Sequence, residues 1–180
     1  MAASVANVIN LGPCTVSFSS TDLGHVSGVE VTIAEKINEA KIDLAGDAPV
    51  AAFTGGITIE AKMTMEESLL ASLDAVSNQM ALVTGTATGS GAIKLAAGQA
   101  CGVAITGALL TLTPVDSGKS TKVFAIYKAF VASHSKKIAI SPEKQAQWEV
   151  VFRGLYDDSR TTGDRLFSFG VTTAQVGTAA

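Results

Sequence analysis

Histidines, paired carboxylates and glycine-bracketed lysines are the residues here whose types can do chemistry. The chain has two histidines, His25 and His134, and two cysteines, Cys14 and Cys101. A structural or catalytic zinc site needs three or four such ligands at close, motif-like spacing, and neither HExxH nor CxxC occurs. The cysteines read as small buried hydrophobes rather than as a disulfide. Gly118-Lys119-Ser120-Thr121 matches the end of a phosphate-binding loop, but position 113, where the motif needs its first glycine, is Thr. Lys122 onward reads as strand, not helix, so the segment is expected to be a hairpin turn. Gly89-Ser90-Gly91 lacks the third glycine of a dinucleotide fingerprint, because position 94 is Lys. No G-x-S-x-G elbow is present. Glu66/Glu67 and Asp157/Asp158 are adjacent carboxylates, placed at an expected helix start and in a polar loop, where solvent-facing roles are commoner than acid–base work. Lys136, Lys137 and Lys144 lack the aromatic partners of a nucleic-acid patch. The expectation is a chain with no catalytic, cofactor-binding or metal-binding residues and no cofactor.

Length and composition narrow the choice further. The 180 residues fit one domain. Charged residues make up 16% and the hydrophobic fraction is 47%, where soluble domains carry about 25% charge. Disorder is excluded by that hydrophobicity, and general nucleic-acid binding by a net charge of −3. So few charges imply surface buried in an assembly or in a membrane. Leu95–Val115 is uncharged and long enough to span a bilayer. Yet glycines, threonines and Pro114 break it into short apolar pieces with no flanking basic cluster. No membrane span is expected. Met1–Pro13 has no Lys or Arg and no long apolar core, so no secretory signal is expected. Residues 1–93 carry ten acidic and three basic side chains, and residues 94–180 carry six and ten. Opposite halves of that kind can associate head to tail.

The elements that must position these residues are mostly strands. Ile57, Ile59, Ala61, Met63 and Met65 alternate with Thr58, Glu60, Lys62 and Thr64, giving one apolar and one polar face. Val29, Val31 and Ile33 alternate with Glu30 and Thr32, and Ala40, Ile42 and Leu44 with Glu39, Lys41 and Asp43. The phase shift near Ile37–Asn38 predicts a bulge or turn. Val103–Thr113, Lys122–Ser133, Gln147–Tyr156 and Arg165–Val171 are further strands, with a loop over Pro114–Thr121. Thr64 with Glu67 forms a capping-box pattern, followed by Leu69, Leu70 and Leu73 on one face, and predicts a helix over residues 66–76. Ala45–Gly56 reads as a long, charge-poor loop, and Gly85–Gly91 as another. The fold class expected is mainly β, an antiparallel β-sandwich or partial barrel with one short flanking helix. The expected divisions are an N-terminal arm (1–12), one β domain (13–171) and a mobile tail (172–180).

The order of these features resembles the major tail tube protein of long-tailed bacteriophages (siphovirus type, within the tail-tube and type VI secretion tube superfamily). Gly12-Pro13-Cys14-Thr15-Val16-Ser17-Phe18 and Thr21-Asp22-Leu23-Gly24 are similar to that family's opening strand and its continuation. Gly28–Ile33 resembles the first long strand, and Gly46-Asp47-Ala48-Pro49-Val50 the loop after the long strand pair. Thr54-Gly55-Gly56 resembles the lead into the next strand, and Trp148-Glu149-Val150-Val151-Phe152 a W-x-V-x-F strand. The resemblance runs over residues 11–157, and residues 80–101 match nothing in it.

The resemblance implies a non-enzymatic virion protein of the tail, assembled in the host cytoplasm. Its copies would form hexameric rings that stack head to tail, the inner strands closing a continuous β-barrel around an acidic lumen. Partners implied are further copies, a tape-measure protein, a tail terminator and tail-tip proteins. DNA would transit the lumen without specific binding. Candidate lumen-facing residues are Glu30, Thr32, Glu39, Lys41, Asp43, Thr58, Glu60 and Lys62. Candidate inter-ring contacts are Asp47, Pro49, Val50 and Phe53. Alternatives are a tube subunit of a contractile tail or injection system, a decoration protein, a tail terminator, or a small-ligand binding barrel.

Overall fold

The computed structural model describes residues 12–41, 48–66, 70–78, 80–84, 93–98, 102–119, 121–137 and 147–170. Met1–Leu11, Asp43, Asp47, Glu67, Leu69, Gly85–Gly91, Cys101, Lys144 and Thr172–Ala180, for which the sequence carries expectations, lie outside the described residues. In chain order the strands are β1 (Cys14–Phe18), β2 (Thr21–Asp22), β3 (Val26–Lys41), β4 (Pro49–Met65), β5 (Met80–Thr84), β6 (Ile93–Ala97), β7 (Ala108–Pro114), β8 (Val123–Lys137), β9 (Gln147–Leu155) and β10 (Phe167–Gly170). One helix, α1 (Leu70–Ala75), follows β4, and a 3-10 turn over Ser117–Lys119 joins β7 to β8. Among the described residues the protein is mainly antiparallel β with one short helix, as the alternation implies.

Eight strands form one open sheet in the order β2-β1-β7-β8-β9-β4-β3, with β10 added on β8, while β5 and β6 pair separately. The sheet curls. Phe18 on β1 and Phe152 on β9 lie three strands apart, which in a flat sheet is roughly 14 Å, yet their ring centroids are 4.8 Å apart. Inside the curl sit Val16, Leu23, Ile59, Ala61, Met63, Met65, Leu110, Ile126, Val150 and Phe152, all at most 2% exposed. Helix α1 closes one side through Leu73 and Val76. Gly154 marks a close approach, since a Cβ there would stand 2.5 Å from the Ile59 side chain. The W-x-V-x-F strand turns Trp148, Val150 and Phe152 into this core, as its alternation predicts.

Three elements differ from the sequence reading. Helix α1 covers Leu70–Ala75 of the expected 66–76, and Glu66 is not helical, because Thr64 and Met65 stay in β4 and pair with Ser27 and Val26. Thr64 is therefore held by the sheet and not by a helix cap. Residues 103–107 are not strand, and β7 starts at Ala108. Most of the Ala45–Gly56 loop is strand, because Pro49–Gly56 pairs with Lys36–Lys41. Gly, Pro and low charge suggested a loop there, but cross-strand hydrogen bonding overrides local propensity.

β1 and β2 join through Ser19 and Ser20, whose φ angles are 52° and 66°. Two positive φ values fit the type I′ hairpin turn, which favours Asn-Gly and is strained for serine. Changing Ser19-Ser20 to Asn-Gly is expected to stabilise the fold by about 1 kcal/mol. In a chain of this size that corresponds to a melting temperature about 2–4 °C higher, readable by calorimetry.

Candidate functional site

Among the described residues, those singled out for chemistry do not converge. His25 lies 68% exposed, its Nε2 3.2 Å from Glu66 Oε2. Ser27 donates its hydroxyl to the other oxygen of Glu66 at 2.6 Å. Ser27 and His25 thus both address one carboxylate. In the Gly118 segment, Asp116 accepts the Gly118 N–H at 2.9 Å and pairs with Lys119 at 3.7 Å. That closes a turn and builds no phosphate cradle. Among the described residues no group of three His, Cys, Asp or Glu gathers to hold a metal. Burial raises the Cys14 thiol above its ordinary pKa, which disfavours the thiolate form.

A polar network does form, over the loop between β9 and β10. Lys128 reaches Asp157 at 2.8 Å and Asp158 at 3.7 Å. Asp164 accepts from the Tyr127 hydroxyl and, at 2.9 Å, from Arg160 Nη2, whose guanidinium lies 3.6 Å above the Tyr127 ring. Arg165 donates to the Arg160 carbonyl at 2.7 Å and to the Tyr156 hydroxyl. The cations are spent on loop carboxylates and carbonyls, so the network ties the loop down. The Lys128 hydrogen bond, with help from Ser159, lowers the Asp157 carboxyl to about 2. A depressed carboxylate contributes stability that is full above pH 4 and is lost as pH falls toward 2. Asp157→Asn is therefore expected to lower the melting temperature at pH 5–7 and to flatten its fall between pH 4 and 2. Identical acid profiles for the two proteins would contradict the assignment.

The candidate lumen residues separate into two faces. Glu30 opposes Lys62, Thr32 opposes Glu60 and Ala34 opposes Thr58, and β9 continues this face with Arg153 beside Glu60 and Glu149 beside Thr64. Glu39 and Lys41 lie on the other face. The register shift occurs where sequence places it, between Lys36 and Ile37, but the extra residue is Gly55 on β4. β3 keeps strict alternation from Glu30 to Lys41, so odd positions there share the face of Val31 and Ile33. The even-numbered face is also less acidic than expected. Glu30, Glu60 and Glu149 are balanced by Lys36, Lys62 and Arg153, and Arg153 Nε holds Glu60 at 2.8 Å.

What the structure adds is an arm. Pairing of β4 with β9 stops at Glu60–Arg153, while β3 and β4 stay paired to Lys41–Pro49. Beyond that point the two strands form a ribbon whose described residues are nearly all exposed. It nevertheless carries Ile33, Ile37 and Ile57 on one face and Phe53 on the other, with Ile37 at 62% and Phe53 at 61% exposure. Among the described residues no strand pairs with the outer edge of β3. Pro49, Val50 and Phe53 thus belong to the arm rather than to a loop. The signal was present in sequence as the apolar run around residue 50, but only pairing shows that nothing else in the sheet flanks it.

No protein-family model and no curated protein sequence matches the chain. Among solved structures it is similar to the sheath/tube terminator of the extracellular contractile injection system PVC in its extended state. That match has a TM-score of 0.46 and 9% identity, over 92% of this chain and 99% of the other. It is also similar to Hcp1 from Flavobacterium johnsoniae, with a TM-score of 0.35 and 9% identity, over 88% of this chain and 94% of the other.

Proposed function

We propose that this chain is a structural subunit that assembles with copies of itself into stacked hexameric rings, forming a tail tube of the bacteriophage type through which DNA is delivered. The observation that carries the reading is the β3–β4 arm. Its long edge, on which no strand of the described residues pairs, and its exposed Ile37, Phe53, Ile57 and Val50 are what a soluble monomer avoids. A neighbouring copy would cover both, by edge pairing and by apolar contact. The low charge content of 16% has the same origin, since obligate interfaces resemble a domain core. The ring of six and the role in DNA passage come from the resemblance to major tail tube proteins.

In such a ring the lumen lining we favour is the face of β3, β4 and β9 that carries Glu30, Thr32, Thr58, Glu60 and Lys62, continued by Glu149 and Arg153. Its balanced charges offer no net basic field to hold a phosphate backbone, so DNA slides past. Pro49, Val50 and Phe53, at the far part of the arm, are the proposed contacts to the next ring. Sedimentation velocity of the full chain over a hundredfold concentration range tests the reading. Species of hexamer mass or larger are expected, and a monomer throughout would overturn it.

A further inference from the structure

We infer that the arms of neighbouring copies stack face to face, the Ile37 face of one β3–β4 arm packing on the Phe53 face of the next. This rests on the assembly reading above and names the surface that covers the arm.

The two faces of the arm differ in charge. Glu35 opposes Ile57, Ile37 opposes Thr54 and Glu39 opposes Ala52, so one face carries Ile33, Ile37 and Ile57 with two carboxylates. Lys41 stands at the outer end of that face. Lys36 opposes Gly56 and Asn38 opposes Phe53. From Ala34 to Ala40, the other face therefore carries one aromatic ring and one ammonium and no carboxylate. Glu35, Lys36, Ile37, Glu39 and Phe53 are all exposed, so the single chain covers neither face.

The faces also differ in relief, and the bulge is the cause. A Cβ on Gly55 would stand 2.7 Å from the Asn38 side-chain nitrogen and 3.1 Å from the Lys36 carbonyl oxygen, so glycine alone fits there. Gly56 has a φ of 118°, which favours glycine, and open space where its Cβ would lie. The Phe53 face thus has bare backbone between Phe53 and Thr58. Packed sheets lie about 10 Å apart with their side chains interdigitated. The bare stretch is a hollow for a branched side chain, which Ile37 or Ile57 of a facing arm supplies, while Glu35 and Glu39 come toward Lys36. In regular pairing Gly55 would oppose Ile37, and Phe53 would oppose Glu39 on the same face as Ile37. The bulge carries Phe53 to the other side. An arm meeting one partner surface would gather its apolar residues on one face. This arm divides them, and the two halves complement each other. Every copy then gives one face and receives one, so the contact is heterologous and repeats instead of closing a dimer.

The test uses the full chain in sedimentation velocity, with circular dichroism to verify folding. The variants are Lys36→Glu in one protein and Glu35→Lys with Glu39→Lys in another, all at exposed positions. Either protein alone sets like charges against each other and is expected to associate at least roughly tenfold more weakly than wild type. An equimolar mixture is expected to recover wild-type association, because each copy then meets an opposite face on both sides. Lys36 and the two glutamates lie on opposite faces of one arm, so they do not pair within a chain, and the recovery reads contact between copies. Variants that assemble like wild type, or a mixture as weak as its components, would overturn the stacking and leave the assembly reading intact. A wild-type chain that never leaves the monomer would overturn both.

Discussion

Replacing Ile37 and Phe53 together with glutamate is expected to leave the fold unchanged and to abolish assembly. Both side chains are more than 60% exposed in the single chain. They therefore contribute little to folding, and surface changes of this kind usually fall within about 0.5 kcal/mol. In an assembled state each would be buried. Burying a large apolar side chain is worth about 1.5–3 kcal/mol, so losing two costs roughly 3–6 kcal/mol per contact. That is more than about a hundredfold in the association constant, before the penalty for burying carboxylates is added. The two residues lie on opposite faces of the arm, so the double variant removes the apolar contact that each face would make. The checks are an unchanged melting curve beside a sedimentation profile confined to monomer. A variant that still forms large species would remove the arm from the account.

The second large effect is expected in the core. Phe152 is fully buried at the middle of β9, and its ring meets Phe18 from the opposite wall of the curled sheet. Phe152→Ala should destabilise the fold by about 3–5 kcal/mol. This is about a fifth or more of a total stability of about 5–15 kcal/mol. The melting temperature should fall by roughly 10 °C or more, and the cost is that of closing the sheet on itself. A loss under about 1 kcal/mol would mean that the curl is held elsewhere.

These two residues also show how far the sequence could be read. Phe152 was legible, because Trp148, Val150 and Phe152 alternate with exposed positions, and period-two patterns report burial directly. Ile57 to Met65 behaved the same way over its inner half, from Ile59 to Met65. The outer half was not legible. From Pro49 to Gly56 the residues are exposed on both faces, so no alternation marks them as strand, and glycines and Pro49 suggested a loop. Only hydrogen bonding to β3 makes that segment a strand. The separation of Glu39 and Lys41 from the face of Glu30 and Thr32 has the same root. The phase shift near Ile37 was visible, but sequence does not say which strand carries the extra residue, and Gly55 on β4 absorbs it. The helix start was misread because Thr64 satisfies a capping pattern locally while the sheet claims its backbone. Pairing partners distant in sequence decided each of these cases.

Electron microscopy of the purified, concentrated full chain tests the central claim most directly. The account predicts rings with an open centre, or tubes of stacked rings, and their loss in the Ile37→Glu, Phe53→Glu variant. A field of small single particles at every salt concentration, identical for both proteins, would contradict it.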